Sequence, residues 1–381
     1  MAQQLHYKIF NSAAALPPEW DNLSLKNIFL SRAYLSVLEQ SAPDNVEAHF
    51  IGIFANDTLC AIALAQYINL YNVTTFTPQQ KDFCLKEYLF KKFSSRVLIL
   101  GNNMLTGQNA YLIDGNSNEA DVLKAFENAL LDIKSQYRCK GITINLIAVK
   151  DFNEDEFPDF KAAGYHGYYR FSTQPNMIFD IRSSWRAMDN YLSDLTTKYR
   201  TQYNRARKKA EGIEKYQLNA EEIKDNNPCI QRLYLTVAGN AGFNTFHLPE
   251  NHFYIFKQQL KDNFRFYGYF LEGKLIGFNT LIKNGKDMDT YFLGYDASLQ
   301  KQKMLYLNML YDMAGYGIKK QFSHIIYGRT AMEIKSSIGA RAEKVYGLIK
   351  HTNPLVNLFM ARFFIYFDPV VEWKERSPFK N

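Results

Sequence analysis

The residues best suited to chemistry lie in the last third of the 381-residue chain. A Gly328-Arg329-Thr330 turn follows a predicted strand over 323–327 and precedes a predicted helix over 331–337. Open α/β sheets carry their sites at the carboxyl ends of central strands, so this turn lies where a ligand would bind. The Arg329 guanidinium could hold a phosphate or a carboxylate with two parallel hydrogen bonds, and a surface ion pair is the alternative.

A second group of candidates lies on a predicted helix from Tyr191 to Ala210, where six cations fall within twelve residues that include no acid. These cations are Lys198, Arg200, Arg205, Arg207, Lys208 and Lys209. Apolar and aromatic residues recur every four positions and form one stripe, namely Tyr191, Leu195, Tyr199 and Tyr203. Cations among tyrosines suit the phosphates of RNA or an anionic lipid surface, and a solvated helix face is the alternative.

Motifs of several other reaction classes are missing. The sequence contains no G-x-S-x-G, no P-loop and no H-E-x-x-H. The seven histidines are scattered, and His247 and His252 are five positions apart, which does not align two metal ligands on a helix. The cysteines also lie far apart and form no C-x-x-C pair; they are Cys60, Cys84, Cys139 and Cys229. We therefore predict no metal site, and a reducing, cytoplasmic compartment.

Length and composition predict two domains rather than one. A chain of 381 residues is long for a single core, and 47% hydrophobic residues supply enough side chains to bury. No segment approaches the ~20 apolar residues that a membrane-spanning helix requires, and the N-terminus lacks a signal-peptide core. The most apolar stretch, from Leu355 to Phe367, contains Asn357 and Arg362. We predict a core-facing helix there, with a surface-lying helix as the alternative.

Periodicity and turn residues predict the elements that position these candidates. In the first half they predict strands near 48–54, 58–67, 96–100, 109–113, 141–147 and 176–181. First-half helices are predicted over 31–41, 119–136 and 154–163, the last ending at Gly164. In the second half, helices over 191–210 and 220–239 precede a meander of strands over 265–271, 275–283 and 288–295. The remaining predicted elements are a helix over 303–316, the strand and helix named above, a strand over 344–350, and a helix that Asn353 caps and Pro354 opens.

The two halves of the sequence resemble each other. His49–Phe54 matches Arg265–Phe270, and each is followed five residues later by a leucine. Downstream, Phe160–Gly164 matches Ile334–Gly339 with one residue inserted. In both halves a hairpin is followed by a long helix, a strand, a helix that ends in glycine, and a further strand. This order predicts duplicated domains, and chance similarity is the alternative.

The predicted order from 265 to 350 resembles the core of the GNAT acyltransferases. The chain is similar in particular to the branch that includes the Fem peptidyltransferases and related double-domain acyltransferases of bacteria. The resemblance is carried by the basic segment 191–209, the strand from Tyr291 to Asp296 and the stretch from Gly328 to Ala340. It covers the first half only through the repeat. The fold class that it implies is α/β (α+β), with two tandem GNAT-like domains over 1–183 and 184–381, each a mixed, mostly antiparallel sheet flanked by helices.

In GNAT enzymes the loop after the fourth strand wraps the pyrophosphate of coenzyme A with backbone N–H groups. The resemblance places this loop at 298–304, so acetyl-CoA or another acyl-CoA would contact Ser298, Gln300, Lys301, Gln302, Lys303 and Met304. The family pattern has glycine-like positions where this chain has Lys303 and Leu305. Their large side chains oppose a close approach to the pyrophosphate. The lysines could supply compensating charge, and a solvated lysine pair is the alternative.

The resemblance also assigns catalytic residues. Lys335 matches a lysine that Fem-like proteins place near the reacting carbonyl, where a cation would stabilise the oxyanion formed by an attacking amine. Tyr291, Tyr327 or Asp296 could receive the proton that the amine loses. A strand tyrosine is commonly only half-buried structure, and Asp296 could simply cap a helix. The spacing over 330–333 is that of a capping box, so Glu333 is predicted to bind backbone N–H groups rather than to act as a base.

These assignments predict an enzyme that transfers an acyl group from an acyl-CoA-type thioester to an amine-bearing small molecule or cell-envelope precursor. Arg200, Arg205 and Tyr327 would bind the acceptor in a cleft between the halves. One alternative is a Fem-like peptidyltransferase that uses aminoacyl-tRNA, and another is a GNAT-like binding protein without turnover. Fem-like users of tRNA usually carry a long helical arm, which the breaks at 226–228 and 239–242 exclude here. Acyl-CoA is therefore the favoured acyl donor.

Overall fold

The computed structural model describes residues 5–71, 91–172, 174–240, 244–362 and 373–380. The chain forms two compact units that interleave along the sequence. The first consists of Met1–Thr173, Gly242–Pro249 and Lys344–Val370, and the second of Gln174–Ala241, Glu250–Glu343 and Val371–Asn381. This division differs from two consecutive domains over 1–183 and 184–381, because each unit takes one strand from beyond that boundary.

The first unit contains a mixed, mostly antiparallel sheet. Its strands are β1 Leu5–Phe10, β2 Val46–Ala55, β3 Thr58–Asn69, β4 Arg96–Leu100, β5 Tyr111–Ile113, β6 Leu146–Phe152, β7 Tyr169–Ser172 and β15 Tyr346–His351. They lie in the order β1-β2-β3-β4-β6-β15-β7, with β5 beside β3, and the pair β4–β6 is parallel. The described α-helices are Glu19–Ser24, Arg32–Gln40, Glu119–Cys139, Phe157–Ala162 and Pro354–Asn357, and short 3₁₀ turns cover Ala13–Ala15, Ile28–Leu30 and Glu154–Glu156.

The second unit repeats this plan. Its strands are β8 Asn176–Asp180, β9 Ile213–Gln217, β10 Phe264–Leu271, β11 Lys274–Asn284, β12 Asp287–Tyr295, β13 His324–Gly328 and β14 Arg341–Glu343. They lie in the order β14-β8-β13-β12-β11-β10-β9, and the pair β12–β13 is parallel. The helices are Met188–Asp194, Thr197–Lys209, Ala220–Asp225, Asn227–Ala238, His252–Leu260, Ala297–Lys303, Leu305–Lys320 and Met332–Ser337, with a 3₁₀ turn at Lys261–Asn263.

The repeat predicted from the sequence is confirmed at matching glycines in the second strand of each sheet. A Cβ added to Gly52 in β2 would lie 3.0 Å from Leu59, and one added to Gly268 in β10 would lie 3.1 Å from Leu275. The leucines that follow the two matching segments therefore perform the same packing. Both hairpins also shift register just after the glycine, between residues 53 and 54 and between residues 269 and 270.

The hairpin turns match as well. In each turn two adjacent residues have positive φ, Asn56 (48°) and Asp57 (64°) in the first unit and Glu272 (51°) and Gly273 (74°) in the second. Two positive-φ residues in a two-residue turn match the natural twist of a hairpin. A shared bulge and a shared turn are more specific than a common strand composition, so we conclude that the two sheets are related copies.

Each sheet contains one strand from the other half of the sequence. β8 follows β7 in the chain, but it pairs with β13 and β14 in the second sheet. β15 comes last, but it pairs with β6 and β7 in the first sheet. The strand predicted over 344–350 is therefore present, although it does not extend the second sheet. Neither half of the sequence completes its own sheet.

One long helix packs on each sheet. In the first unit the Glu119–Cys139 helix packs against β1, β2, β3 and β4, and nine of its residues are buried. In the second unit the Leu305–Lys320 helix has ten buried residues and packs with aromatic side chains such as Trp185 and Tyr191. Both helices follow the fourth large strand of their sheet and lead into its parallel neighbour, as right-handed crossovers require.

The predicted basic helix over 191–210 is wrong as one element. The structure has two helices, Met188–Asp194 and Thr197–Lys209, because Leu195 is extended and pairs with Phe379. The predicted tyrosine stripe is buried or half-buried all the same. A four-residue repeat of apolar side chains does not reveal a short extended break inside the predicted helix.

The other helix boundaries moved for local reasons. The helix predicted over 220–239 breaks at Asn226, where Pro228 begins a new helix. The helix predicted over 303–316 extends to Lys320, and the left-handed residue Met304 separates it from Ala297–Lys303. The strand predicted over 141–147 begins later, at Leu146, because Gly141 (φ 76°) turns the chain after the preceding helix. Asn353 caps the C-terminal helix as predicted, but the prediction that this helix faces the core is wrong for its described part, because Pro354–Asn357 buries no residue and Leu355 and Leu358 are exposed. Residues 363–367 of the predicted helix lie outside the described residues.

Candidate active site

β12 and β13 run parallel but separate soon after they begin. Three residue pairs join them, of which the last is Asp289 with Ile326, although β12 continues to Tyr295 and β13 to Gly328. Residues 290–293 are only partly buried in the middle of a seven-stranded sheet, because β12 has lost one neighbour there. The gap that opens between β12 and β13 beyond Asp289 is a place for an extended ligand at the carboxyl edge of the sheet.

The segment after β13 has an unusual backbone. Gly328, Thr330 and Ala331 have positive φ values of 69°, 66° and 46°. In residues other than glycine this conformation costs roughly 1–2 kcal/mol each, so two such residues in succession need support from their surroundings. Strain of this kind concentrates at ligand and catalytic sites.

Lys335 supplies that support. Its side chain is 4% exposed, and Nζ donates hydrogen bonds to the carbonyl oxygens of Tyr327, Gly328 and Arg329 at 2.7, 3.2 and 2.6 Å. Burial lowers the pKa of Lys335 to about 7, whereas the three carbonyl acceptors favour its charged form. All three N–H groups are committed to the backbone. The charge can therefore act on an oxyanion through its field, or directly after one carbonyl is released.

A cavity of about 420 Å³ lies beside this segment. Residues 330–334 form one side of it, and Gln174 and Trp373 also line it. The cavity is adjacent to the backbone that Lys335 holds. It is large enough for the reacting end of a substrate, so we take it together with the β12–β13 divergence as the candidate active site.

The capping box predicted over 330–333 is wrong. Ala331 is the residue before the helix and makes no side-chain cap, since its left-handed backbone replaces the extended conformation that a capping residue adopts. Glu333 instead accepts hydrogen bonds from the Lys374 backbone N–H and from the Arg376 guanidinium, both at 3.1 Å. These bonds lower the pKa of Glu333, the Lys374 bond most strongly. Glu333 thus fastens the C-terminal segment to the Met332–Ser337 helix.

Arg329 and Tyr327 lie on either side of Gly328, as predicted. Tyr327 is buried, and its hydroxyl donates to the Leu310 carbonyl at 3.0 Å. Burial raises the pKa of Tyr327 well above its ordinary value. In this arrangement Tyr327 is a core residue rather than an acceptor ligand or proton acceptor, whereas the half-buried Arg329 remains at the loop.

A histidine that the sequence did not single out lies next to Tyr291. The imidazole of His252 is fully buried, its Nε2 lies 3.1 Å from the Tyr291 hydroxyl, and the two rings stack. Tyr291 lies in the part of β12 beyond its last pair with β13. The pair therefore couples a tyrosine hydroxyl near the strand divergence to a buried base. No sequence motif could have revealed it, because 39 residues separate the two positions.

Asp289 is a second residue that the sequence did not single out. It belongs to the last paired position before the divergence, and only 6% of it is exposed. Burial, together with the neighbouring Asp287 carboxylate, raises the pKa of Asp289 to about 8. This carboxyl group is therefore protonated in the folded protein at neutral pH.

The predicted pyrophosphate loop is instead a helix, Ala297–Lys303. Asp296 caps it, and its Oδ1 accepts the Ser298 backbone N–H at 2.9 Å. Hydrogen bonds from Ser298 lower the pKa of Asp296, which makes it a weaker base than predicted.

The predicted coenzyme contacts of this segment are used elsewhere or exposed. The Gln300 side chain accepts the Tyr306 backbone N–H at 2.9 Å, and Lys303 Nζ donates to the Glu211 carbonyl at 2.9 Å. Of the six predicted coenzyme contacts, Lys301 and Gln302 have exposed side chains. Met304 is the left-handed residue that separates this helix from the Leu305–Lys320 helix.

The two predicted acceptor arginines have different surroundings. Arg200 is half-buried and donates to the Leu195 carbonyl at 3.0 Å, so it supports the break between the two basic helices. Arg205 is exposed. Their helix reaches the candidate site through Gln202, which donates to the Ser337 hydroxyl at 3.1 Å. The acceptor role stays a prediction.

Within the described residues, no group of three or more histidine, cysteine, aspartate or glutamate side chains is arranged to hold a metal ion. Among the helices in the same ranges, none combines the length and the apolar character needed to cross a bilayer.

Comparison with known proteins identifies the fold of the chain but not its activity. No family model and no curated protein sequence matches the chain. Among solved structures, FemX superposes with a TM-score of 0.55 over 93% of this chain and 99% of that chain, with 12% identical residues. A tandem GNAT protein from the clavulanic acid biosynthesis pathway superposes with a TM-score of 0.51 over 92% of this chain and 99% of that chain, with 10% identical residues.

Both matches span the two units and nearly the whole of the other protein. The fold class expected from the sequence is therefore confirmed, and the chain has a tandem GNAT fold of the kind found in FemX and in the clavulanic acid pathway protein.

Proposed function

We propose that this chain is an acyltransferase whose second unit transfers an acyl group to an amine. The observation that carries the proposal is the divergence of β12 and β13 after Asp289 and Ile326. It separates the ends of the two strands at the carboxyl edge of the sheet, beside the Lys335-supported loop and a cavity of about 420 Å³. Acyl transfer needs a gap that holds an extended carrier, a cavity for the reacting groups and a positive charge near the acyl oxygen. The strand divergence, the cavity and Lys335 supply these three features.

The chemistry is aminolysis. The acceptor nitrogen attacks the acyl carbon, a C–N bond forms, and the tetrahedral intermediate expels the sulfur or oxygen of the carrier. The amine loses one proton, and the expelled atom gains one. We assign the Tyr291–His252 pair as the route for the amine proton: the Tyr291 hydroxyl gives its own proton to His252 Nε2, 3.1 Å away, as it takes the proton that the amine loses. Arg329 holds an anionic group of the acceptor.

Lys335 acts on this reaction as a positioning residue. Its three hydrogen bonds hold the backbone of residues 327–329 at the edge of the cavity. Because the charge is buried, water screens it weakly, and its field stabilises negative charge that develops on the acyl oxygen. This assignment keeps the charge stabilisation predicted from the sequence but replaces direct contact with support of the loop.

The identity of the acyl donor depends on residues 296–304. A coenzyme A donor held in the GNAT manner needs free backbone N–H groups there. Instead Asp296 accepts the backbone N–H groups of Ser298, Leu299 and Gln300, so three of these N–H groups are already used. This observation supports the second candidate, an aminoacyl group esterified to tRNA, which the chain would bind without the long helical arm of Fem-like tRNA users. Exposed cations on the Thr197–Lys209 helix, Lys198, Arg205 and Lys208, provide a surface for phosphates.

Binding measurements separate the acyl donors. Acetyl-CoA and free coenzyme A are titrated by calorimetry, and retention of aminoacylated tRNA on filters is measured as a function of salt. Arg205→Ala/Lys208→Ala is compared with Lys319→Ala/Lys320→Ala, which removes two equally exposed cations from another helix. We expect tRNA retention to weaken in the first variant only, and its salt slope to fall by about 2.

Saturable binding of acetyl-CoA without tRNA retention would restore the thioester donor. If neither donor binds, the chain is a GNAT-shaped binding protein and the acyltransferase proposal fails. Equal loss of tRNA retention in both variants would indicate nonspecific charge attraction.

A further inference from the structure

We propose that a second cavity in the same unit binds a short-chain monocarboxylate, independently of the proposed acyl transfer. The cavity has a volume of about 180 Å³. It lies where the first turns of the Leu305–Lys320 helix face the end of the Thr197–Lys209 helix and the strands β9 and β10. Its lining combines charged groups with apolar side chains. That combination suits a ligand with a charged end and a carbon tail.

The charges in the cavity do not balance. Its lining contains two cations, Arg207 and Lys215, and one carboxylate, Asp312. Asp312 is already well occupied, since one oxygen lies 2.8 Å from the Arg207 guanidinium and the other accepts the Tyr269 hydroxyl at 2.9 Å. One positive charge therefore remains without a matching anion in the lining.

Lys215 carries this excess charge. Its Nζ lies 3.7 Å from Asp312, which is an ion pair but too long for a hydrogen bond, and 4.4 Å from the centre of the Tyr267 ring. Asp312 is thus shared between the two cations, and burial, opposed by Asp312 and aided by Arg207, lowers the pKa of Lys215. A half-buried ammonium with unused donors is costly unless water or an anion completes it.

Arg207 is held ready on the other side. Its guanidinium lies over the rings of Tyr203 and Tyr311, at 5.1 and 5.8 Å from their centres. Nη1 also donates to the Asn308 side chain at 3.3 Å, and Asn308 in turn donates to the Ala206 carbonyl at 2.9 Å. The cation is therefore fixed before any ligand arrives, which reduces the entropy lost on binding.

The remaining walls select the class of anion. Ala210, Ile213 and Leu305 line the cavity with apolar surface. Inorganic phosphate carries more than one negative charge near neutral pH and has no carbon chain to place against these side chains. A monocarboxylate carries one charge, which matches the single excess cation, and its short carbon chain can lie against the apolar wall.

The test uses butyrate as the probe, with inorganic phosphate and butylamine as comparison ligands, in calorimetric titrations of the full chain. Butyrate is expected to bind saturably, phosphate more weakly, and butylamine not at all. Lys215→Met keeps the aliphatic stem but removes the charge, and it should raise the Kd for butyrate about tenfold or more. Lys208→Met removes an exposed lysine outside the cavity and should leave the Kd unchanged.

Ala210→Leu gives a second, uncharged test, because it fills the cavity without altering either cation. It should also abolish butyrate binding, and it decides the question if Lys215→Met does not fold. The proposal is overturned if butyrate fails to bind, if phosphate binds more tightly, or if the Lys215 and Ala210 variants bind butyrate like the parent protein. None of these outcomes depends on which acyl donor the chain uses.

Discussion

Lys335 is a buried cation whose hydrogen-bond partners are all backbone carbonyls. These hydrogen bonds link the Met332–Ser337 helix to the end of strand β13. The two left-handed residues Thr330 and Ala331 lie in the loop between the two linked elements. At the scale of single residues, the shape of the candidate site therefore depends on one side chain that contributes little exposed surface.

We predict that Lys335→Met loosens this loop without unfolding the unit. Three carbonyls lose their donor, but the cost of burying a charge disappears as well, so global stability should change little. Amide hydrogens of residues 328–332 should exchange about tenfold faster, as measured by mass spectrometry. Lys319→Met, at an exposed position, serves as the control. Unchanged exchange at 328–332 would contradict the supporting role.

Asp289 gives a prediction about pH. Its folded-state pKa of about 8 lies above the unfolded value of about 3.9, so the folded protein holds a proton that the unfolded chain releases over this range. Stability from this group is complete below pH ~4 and is lost as the pH rises to ~8. Asp289→Asn keeps the shape and cannot ionise. The stability of the variant relative to the parent protein should therefore rise by ~2 kcal/mol or more between pH 5 and pH 8.

Urea unfolding at pH 5 and pH 8 tests this expectation. Asp225→Asn, at an exposed helix end, is the control and should show no such pH dependence. Equal stability of Asp289→Asn and the parent protein at both pH values would mean that Asp289 ionises normally despite its burial.

Substitutions at two glycines of the Leu305–Lys320 helix test how closely this helix packs on the sheet. A Cβ on Gly315 would meet only Met188 Sδ at 3.8 Å, whereas a Cβ on Gly317 would lie 2.7 Å from Ile325 in β13. Gly315→Ala should therefore stabilise the unit by ~0.5–1 kcal/mol through helix propensity alone. Gly317→Ala has the same gain but must displace Ile325, and should be destabilising by ~1–3 kcal/mol.

Thermal or urea unfolding of the two variants compares the same substitution at positions two residues apart. A stabilising Gly317→Ala would show that the helix can move away from β13 at little cost. Since β13 carries the candidate loop, this helix–strand distance also bears on the geometry of the site.

At the scale of elements, the strands were predictable where alternation and turn chemistry agreed. The β10–β12 meander and the β2–β3 hairpin have strong turn signals, and their predicted bounds are close to the observed ones. The four described edge strands β1, β7, β9 and β14 were missed, because short or half-exposed strands lack a strong pattern. The helix His252–Leu260 was missed too, and with it the histidine that contacts Tyr291.

The candidate site was predictable only in part. The Gly328–Thr330 turn and Lys335 were found from order and resemblance, and the structure brings them together. The partners of Lys335 could not be foreseen, because hydrogen bonds to carbonyls leave no mark on residue types. The segment 298–304 was predicted as a loop by family analogy, although Asp296 is a good helix cap and the following residues favour a helix.

At the scale of the whole molecule, the notable feature is the exchange of β8 and β15 between the two sheets. β15 lies between β6 and β7, and β8 lies between β13 and β14. Both are interior strands, so removing either leaves two neighbours without hydrogen-bond partners. Sequence could not predict this exchange, because the two halves contain eight and seven described strands, the same numbers that the two sheets contain.

We predict that the chain cannot be divided at the boundary that its sequence suggests. A fragment 1–183 would keep β8 but lack β15, and a fragment 184–381 would keep β15 but lack β8. Each would expose strand edges that promote aggregation. Expressed alone, both fragments should be insoluble or lack a cooperative thermal transition, whereas their co-expression should yield a soluble complex, because the exchanged strands can still find their sheets. The co-purified pair should unfold in a single transition by calorimetry. If the 184–381 fragment alone unfolds cooperatively, β8 is dispensable and the two sheets are less interdependent than their strand order implies.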